Sequence, residues 1–118
     1  MKKLLILTPA VLLLAACATS APINTDKKVE STYSCEDNGK VTASYATDGS
    51  AADLNITLPK VGLNNQKVIV TQAVSGSGAR YTNMSNPKLG FEWQTKADYG
   101  VMTVHSSNGQ NYSVNCTI

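Results

Sequence analysis

Leu54-Asn55-Ile56-Thr57-Leu58, closed at once by Pro59, sets apolar and polar side chains in strict alternation. A period of two belongs to a pleated strand with one face buried and does not fit the 3.6-residue period of a helix. The same alternation recurs on both sides of this stretch. Upstream, Val41, Ala43 and Tyr45 share a face; downstream the sets are Leu89, Phe91 and Trp93, then Met102 and Val104, then Tyr112, Val114 and Cys116. Turn chemistry separates them at Asp37-Asn38-Gly39, Asp48-Gly49-Ser50, Pro59 to Asn65, Asn86-Pro87, Tyr99-Gly100 and Asn108-Gly109. Asn-Gly between apolar runs signals a hairpin, because Asn and Gly tolerate the left-handed backbone such turns require. After Leu14 no stretch carries a sustained helical period, so the chain reads as all-β, an antiparallel barrel or sandwich of short strands.

The first residues follow different rules. Lys2 and Lys3 precede the apolar stretch Leu4 to Leu14, and Leu14-Ala15-Ala16-Cys17 closes it. A charged start, a short apolar run and small residues before a cut describe a signal peptide over 1–16, too short for a permanent span. With Cys17 at the cut the segment resembles a bacterial lipoprotein signal, whose cysteine receives acyl chains; several chains give stable anchoring where one does not. From Ala18 to about Glu30 the composition is Thr, Ser, Ala, Pro, Asn and charge, a tether over 17–30 that leads into one domain over 31–118.

Loss of Lys2 and Lys3 with the signal leaves eight basic residues against eight acidic ones. The mature chain is formally neutral and keeps no basic stripe, which excludes nucleic acid as a partner class. With Cys17 acylated, Cys35 and Cys116 remain as a pair in an oxidising compartment, and a disulfide is the expected outcome. It would join the first strand of the domain to its last and close a loop of about 80 residues, contributing roughly 4 kcal/mol in the chain-entropy model. A metal site is the alternative for two cysteines and the lone His105, although no close CxxC or HxxxH spacing accompanies them.

One segment stands apart from the strands. Ser75-Gly76-Ser77-Gly78-Ala79-Arg80-Tyr81 carries nothing that can bury itself, so it is either a plain hairpin connection or a narrow ridge that reaches another surface. Taken in order, Tyr33-Ser34-Cys35, this serine-glycine run ending in Arg80-Tyr81, Trp93 with a nearby lysine, and Asn115-Cys116 resemble the membrane-bound inhibitors of C-type lysozyme, the MliC family. The resemblance spans about Thr32 to Cys116 and includes the lipobox. It implies a small antiparallel β-barrel, closed by the disulfide and held by a lipid anchor, that plugs the lysozyme active-site cleft and so protects bacterial peptidoglycan. With Ala18 rather than Asp after the lipidated cysteine, it also implies an outer-membrane location facing the periplasm.

Carried over by position, the resemblance makes Ser77 the inhibitory serine, with Ser75, Gly78, Arg80 and Tyr81 beside it in the lysozyme-binding set. The family places a lysine two residues after the tryptophan, in a Trp-x-Lys-Gly context; here that position is Thr95, and Lys96 follows with no glycine after it. The Tyr81 to Trp93 stretch is also longer than the family's, with Asn86-Pro87 inside it. A bulge there would restore Lys96 to the cleft-facing side, whereas an uncompensated slip of one residue would turn it to the opposite face. Arg80 is the substitute cation in that case.

Tyr81 and Trp93 sit at alternating strand positions and are expected in the core or supporting the loop rather than stacking on a ligand. A single His105, without a Gly-x-Ser-x-Gly turn, does not build a catalytic triad, so no enzymatic activity and no cofactor are expected. Two other classes compete with the inhibitor reading: a small-ligand carrier of the barrel type, and a lipid-anchored adhesin or envelope scaffold.

Overall fold

The computed structural model describes residues 29–118. The expected signal peptide over 1–16, the lipidation site Cys17 and the tether up to residue 28 fall outside the described residues. Eight strands follow one another: β1 (Val29–Cys35), β2 (Gly39–Tyr45), β3 (Ala51–Leu58), β4 (Leu63–Ala73), β5 (Ala79–Asn83), β6 (Leu89–Lys96), β7 (Tyr99–Ser106) and β8 (Asn111–Thr117), with one 3-10 turn at Pro59–Val61. Each pairs antiparallel with the next and β8 returns to β1, giving a closed barrel. β1 opens at Val29, two residues ahead of the expected start of the domain.

Alternation delivers the core as the sequence predicts. Val41, Ala43, Leu54, Ile56, Leu58, Phe91, Trp93, Met102, Val104, Val114 and Cys116 all point inward and are buried. Each large apolar side chain so buried contributes about 1.5–3 kcal/mol relative to exposure. Tyr33 and Val70 join them from strands the alternation did not single out, and Tyr81 takes the core position expected of it. β4 escapes the pattern because Val68, Ile69 and Val70 run consecutively and a register shift between Ile56 and Leu58 breaks its phase against β3. β5 is short and begins inside the stretch read as a loop.

Closure is narrow. β1 and β8 pair only at Ser34↔Thr117 and Cys35↔Cys116. At that seam Cys35 and Cys116 form a disulfide with their Cα atoms 4.0 Å apart, so the metal alternative for this pair does not arise. Two further contacts reinforce the seam: the Glu36 N–H donates to the Asn115 carbonyl at 3.0 Å, and the Glu36 carboxylate accepts from the Asn115 N–H at 2.9 Å.

Three turns differ from the sequence reading. The turn expected from Pro59 to Asn65 ends at Gly62, and Leu63 to Asn65 already belong to β4. At the first hairpin Asp37 and Asn38 are left-handed, φ 58° and 62°, while Gly39, the last of the expected turn residues, already opens β2. The β6–β7 turn is Ala97-Asp98, with Ala97 at φ 54°, and the expected turn residues Tyr99 and Gly100 already belong to β7.

Candidate functional site

Residues 74–78 join β4 to β5 at the same end of the barrel as the 46–50 and 97–98 turns. Within the loop the Ser75 hydroxyl donates to the Ser77 carbonyl at 2.7 Å and accepts from the Ser77 N–H at 3.4 Å. This internal bracket occupies Ser75 and the Ser77 backbone. The Ser77 hydroxyl is left exposed and, among the described residues, without a hydrogen-bond partner. Gly78 has φ 69°, and a Cβ there would stand 2.3 Å from the Thr95 carbonyl oxygen and 3.2 Å from the Lys96 Cβ. Only a residue without a side chain can bring the loop this close to β6.

That approach decides where Lys96 lies relative to the loop. Phe91 and Trp93 point into the barrel, so Glu92, Gln94 and Lys96 point out. β6 runs without a register shift from Ala79↔Thr95 to Asn83↔Phe91 on one side, and from Leu89↔Ser106 to Lys96↔Tyr99 on the other. The compensating bulge is therefore not formed; the extra residues are taken up by the turn between β5 and β6. Lys96 does face outward, and the loop meets it there. Ser77, Gln94, Thr95, Lys96, Tyr99 and Val101 line one hollow of about 210 Å³ on the barrel's outer face. Lys96 is exposed and, among the described residues, has no ion-pair partner.

The other expected contact residues divide. Arg80 is committed to its neighbours: its Nε donates to Glu92 Oε2 at 2.9 Å and its Nη1 to the Val74 carbonyl at 3.3 Å. The Arg80 hydrogen bond holds the Glu92 carboxyl below its ordinary pKa, against the opposing effect of burial. Tyr81, only 4% exposed, lies inside the barrel and donates its hydroxyl to the Gly49 carbonyl at 3.2 Å, tying the 46–50 turn to β5. Its ring is not on the surface the loop presents.

Trp93 is wholly buried; its Nε1 donates to the Tyr45 hydroxyl at 2.9 Å and its ring meets Tyr33 edge-on with centroids 4.9 Å apart. This aromatic set supports the loop end from within. Burial pushes the Tyr33 hydroxyl pKa up, with the Tyr45 hydroxyl adding to the shift. His105 lies against a carboxylate, its Nε2 3.4 Å from Glu92 Oε1, without the alignment of a hydrogen bond.

Gln94, Tyr99 and Val101 line the same hollow and were not among the residues the sequence pointed to. The available signal was phase: Gln94 shares the outward face of Lys96, and Tyr99 and Val101 oppose them across the β6–β7 ladder. Tyr99 is 45% exposed and its hydroxyl donates to the Asn115 side-chain oxygen, which fixes the ring at the hollow's edge.

A second hollow, about 620 Å³, opens at the opposite mouth between Lys60, Val61, Leu89, Val104, Gln110 and Tyr112. The barrel interior between the two ends is filled by the buried core.

A family model described as membrane-bound lysozyme-inhibitor of c-type lysozyme, MliC, matches residues 33–111, from within β1 to the first residue of β8. No curated protein and no solved structure matches the chain.

Proposed function

We propose, from the premise that this chain belongs to the MliC family of lysozyme inhibitors, that it inhibits C-type lysozyme by inserting the 75–78 loop into the active-site cleft. The observation that carries the proposal is the shared hollow of Ser77 and Lys96, an unengaged hydroxyl beside an unpaired ammonium. C-type lysozyme works with a glutamic acid and an aspartate facing each other across a cleft shaped for an extended sugar chain. A ridge of Ser75, Gly76, Ser77 and Gly78 is thin enough to enter such a cleft. A hydroxyl and a cation are the groups that satisfy two carboxylates at once, and charge-assisted hydrogen bonds are the stronger kind. Occupying both carboxylates blocks substrate entry and proton transfer together.

In this reading Lys96 is the cation offered to the cleft, because Arg80 already has Glu92. The protein acts stoichiometrically, with no chemistry of its own. A lipid on Cys17 holds it at the outer membrane, on the periplasmic side, where inhibition protects peptidoglycan. The rival reading, a small-ligand barrel, attaches to the 620 Å³ mouth; the filled interior confines any such ligand to the rim.

The test is lysis of a peptidoglycan suspension by a C-type lysozyme, titrated with the disulfide-bonded chain. Inhibition is expected to be complete near one equivalent at micromolar concentration. Undiminished lysis at micromolar excess would sink the proposal.

A further inference from the structure

Arg80, Glu92 and His105 form a diagonal chain across the outer face of β5, β6 and β7. All three point outward because the residues beside them, Tyr81, Phe91 and Trp93, and Val104, are buried. Glu92 faces Thr82 and Thr103 directly, and Arg80 and His105 are its diagonal neighbours, a separation that long side chains bridge. Glu92 Oε2 accepts from Arg80 Nε at 2.9 Å, and Oε1 lies 3.4 Å from His105 Nε2. The carboxylate is thus flanked on both sides, with 19% of its side chain exposed.

The far end of this chain reaches the loop. β4 pairing stops at Ala73↔Arg80, and Val74 is the first residue beyond it. The Val74 side chain is 91% exposed, so packing does not hold it. Its carbonyl accepts from Arg80 Nη1 at 3.3 Å. The Ser75–Ser77 bracket is internal and cannot fix the loop relative to the barrel. Among the described residues, two attachments do so: Gly78 pressed on the Thr95 carbonyl along one limb, and Arg80 on Val74 along the other. A long arginine side chain with several free torsions is poorly ordered by one contact at 3.3 Å. Glu92 supplies the second contact, and the planar guanidinium passes its orientation from one nitrogen to the next.

We propose that Glu92 is a positioning residue for the 75–78 loop. It holds the Arg80 guanidinium so that Nη1 clamps the Val74 carbonyl, and Arg80 acts on the loop's geometry instead of being presented to the partner. The consequence for inhibition rests on the reading of this loop as the lysozyme contact; the consequence for loop order does not.

The experiment has two arms, both on the disulfide-bonded chain. Backbone 15N order parameters for Ser75 to Gly78, without lysozyme, are expected near 0.85 in the parent and below about 0.6 in both Glu92→Gln and Arg80→Ala. Arg80→Lys keeps the charge but not the fork, and is expected to leave the loop disordered as well. In the second arm Glu92→Gln weakens lysozyme inhibition about 3- to 5-fold, the size expected of a partly exposed charged hydrogen bond. If Arg80 were itself the cleft cation, releasing it from Glu92 would leave inhibition equal or tighter. That result, or loop order unchanged in the variants, overturns the proposal. If the parent does not inhibit lysozyme at all, the functional reading fails and the order parameters alone decide this one.

Discussion

Gly100 lies so close beneath Trp93 that a Cβ built on it would stand 2.5 Å from the indole Cη2 and 2.9 Å from Cζ2. The two residues are on adjacent strands, two positions out of direct register and so diagonal neighbours on one face, since Trp93 faces Met102 and Gly100 faces Thr95. The glycine is therefore the space into which the largest core side chain fits, and the aromatic set behind the 75–78 loop depends on it.

Gly100→Ala is expected to overpack this contact, because the ring is enclosed and cannot swing aside. The cost is about 1–3 kcal/mol. Each kcal/mol lowers the midpoint of thermal unfolding by about 4–8 °C in a domain of this size. A melting temperature equal to the parent's would show that the ring has room to give.

Ser77→Ala and Lys96→Ala are each expected to weaken lysozyme inhibition about 10-fold or more, since each removes a hydrogen bond to a charged group worth about 1.5–3 kcal/mol. Both side chains are exposed, so thermal stability stays at the parent value. Inhibition constants for the two single variants and the double variant check this. Unchanged inhibition in Ser77→Ala would move the contact elsewhere.

Gly78→Ala separates loop position from barrel stability. The new methyl would meet the Thr95 carbonyl at 2.3 Å, on a backbone at φ 69° that disfavours a side chain. The loop has to lift off β6, carrying Ser77 away from Lys96. Expected are weaker inhibition and altered amide shifts confined to 74–79 and 94–96, while the far end of the barrel is unaffected.

The Cys35–Cys116 disulfide is expected to matter beyond its local contacts, because the β1–β8 seam otherwise rests on two paired positions and the Glu36–Asn115 hydrogen bonds. Replacing both cysteines by serine removes about 4 kcal/mol in the chain-entropy model, a large part of what a domain of this size possesses. Urea unfolding with and without reductant measures it. A midpoint insensitive to reduction would mean that the seam holds by itself.

Glu92 also predicts an acid dependence of stability. Its folded pKa lies below the ordinary value of 4.5, chiefly through the Arg80 hydrogen bond. The ionised group's contribution is complete above that ordinary value and is lost as pH falls through the lowered folded one. Glu92→Gln should therefore be less stable than the parent at pH 7, with the gap narrowing below about pH 4.5. Urea midpoints across this range test the sign; a gap that widens in acid would contradict it.

The strands at Val41, Leu54, Phe91, Met102 and Val114 were legible because alternation is a local property of a pleated chain with one wet face and one dry. The cysteine pair was legible because once Cys17 is set aside only two remain. β4 was hidden by three consecutive apolar residues and a register shift, and the start of β5 at Ala79 was hidden because composition does not mark where the loop ends. The sequence by itself determined an all-β domain with a serine-glycine ridge that must lie at the surface. Only the tertiary structure decided what that ridge meets. Barrel closure and the β5–β6–β7 register set Ser77 beside Lys96 and gave Arg80 to Glu92. Those relationships depend on which strands lie side by side and in what phase, and no local pattern carries that information.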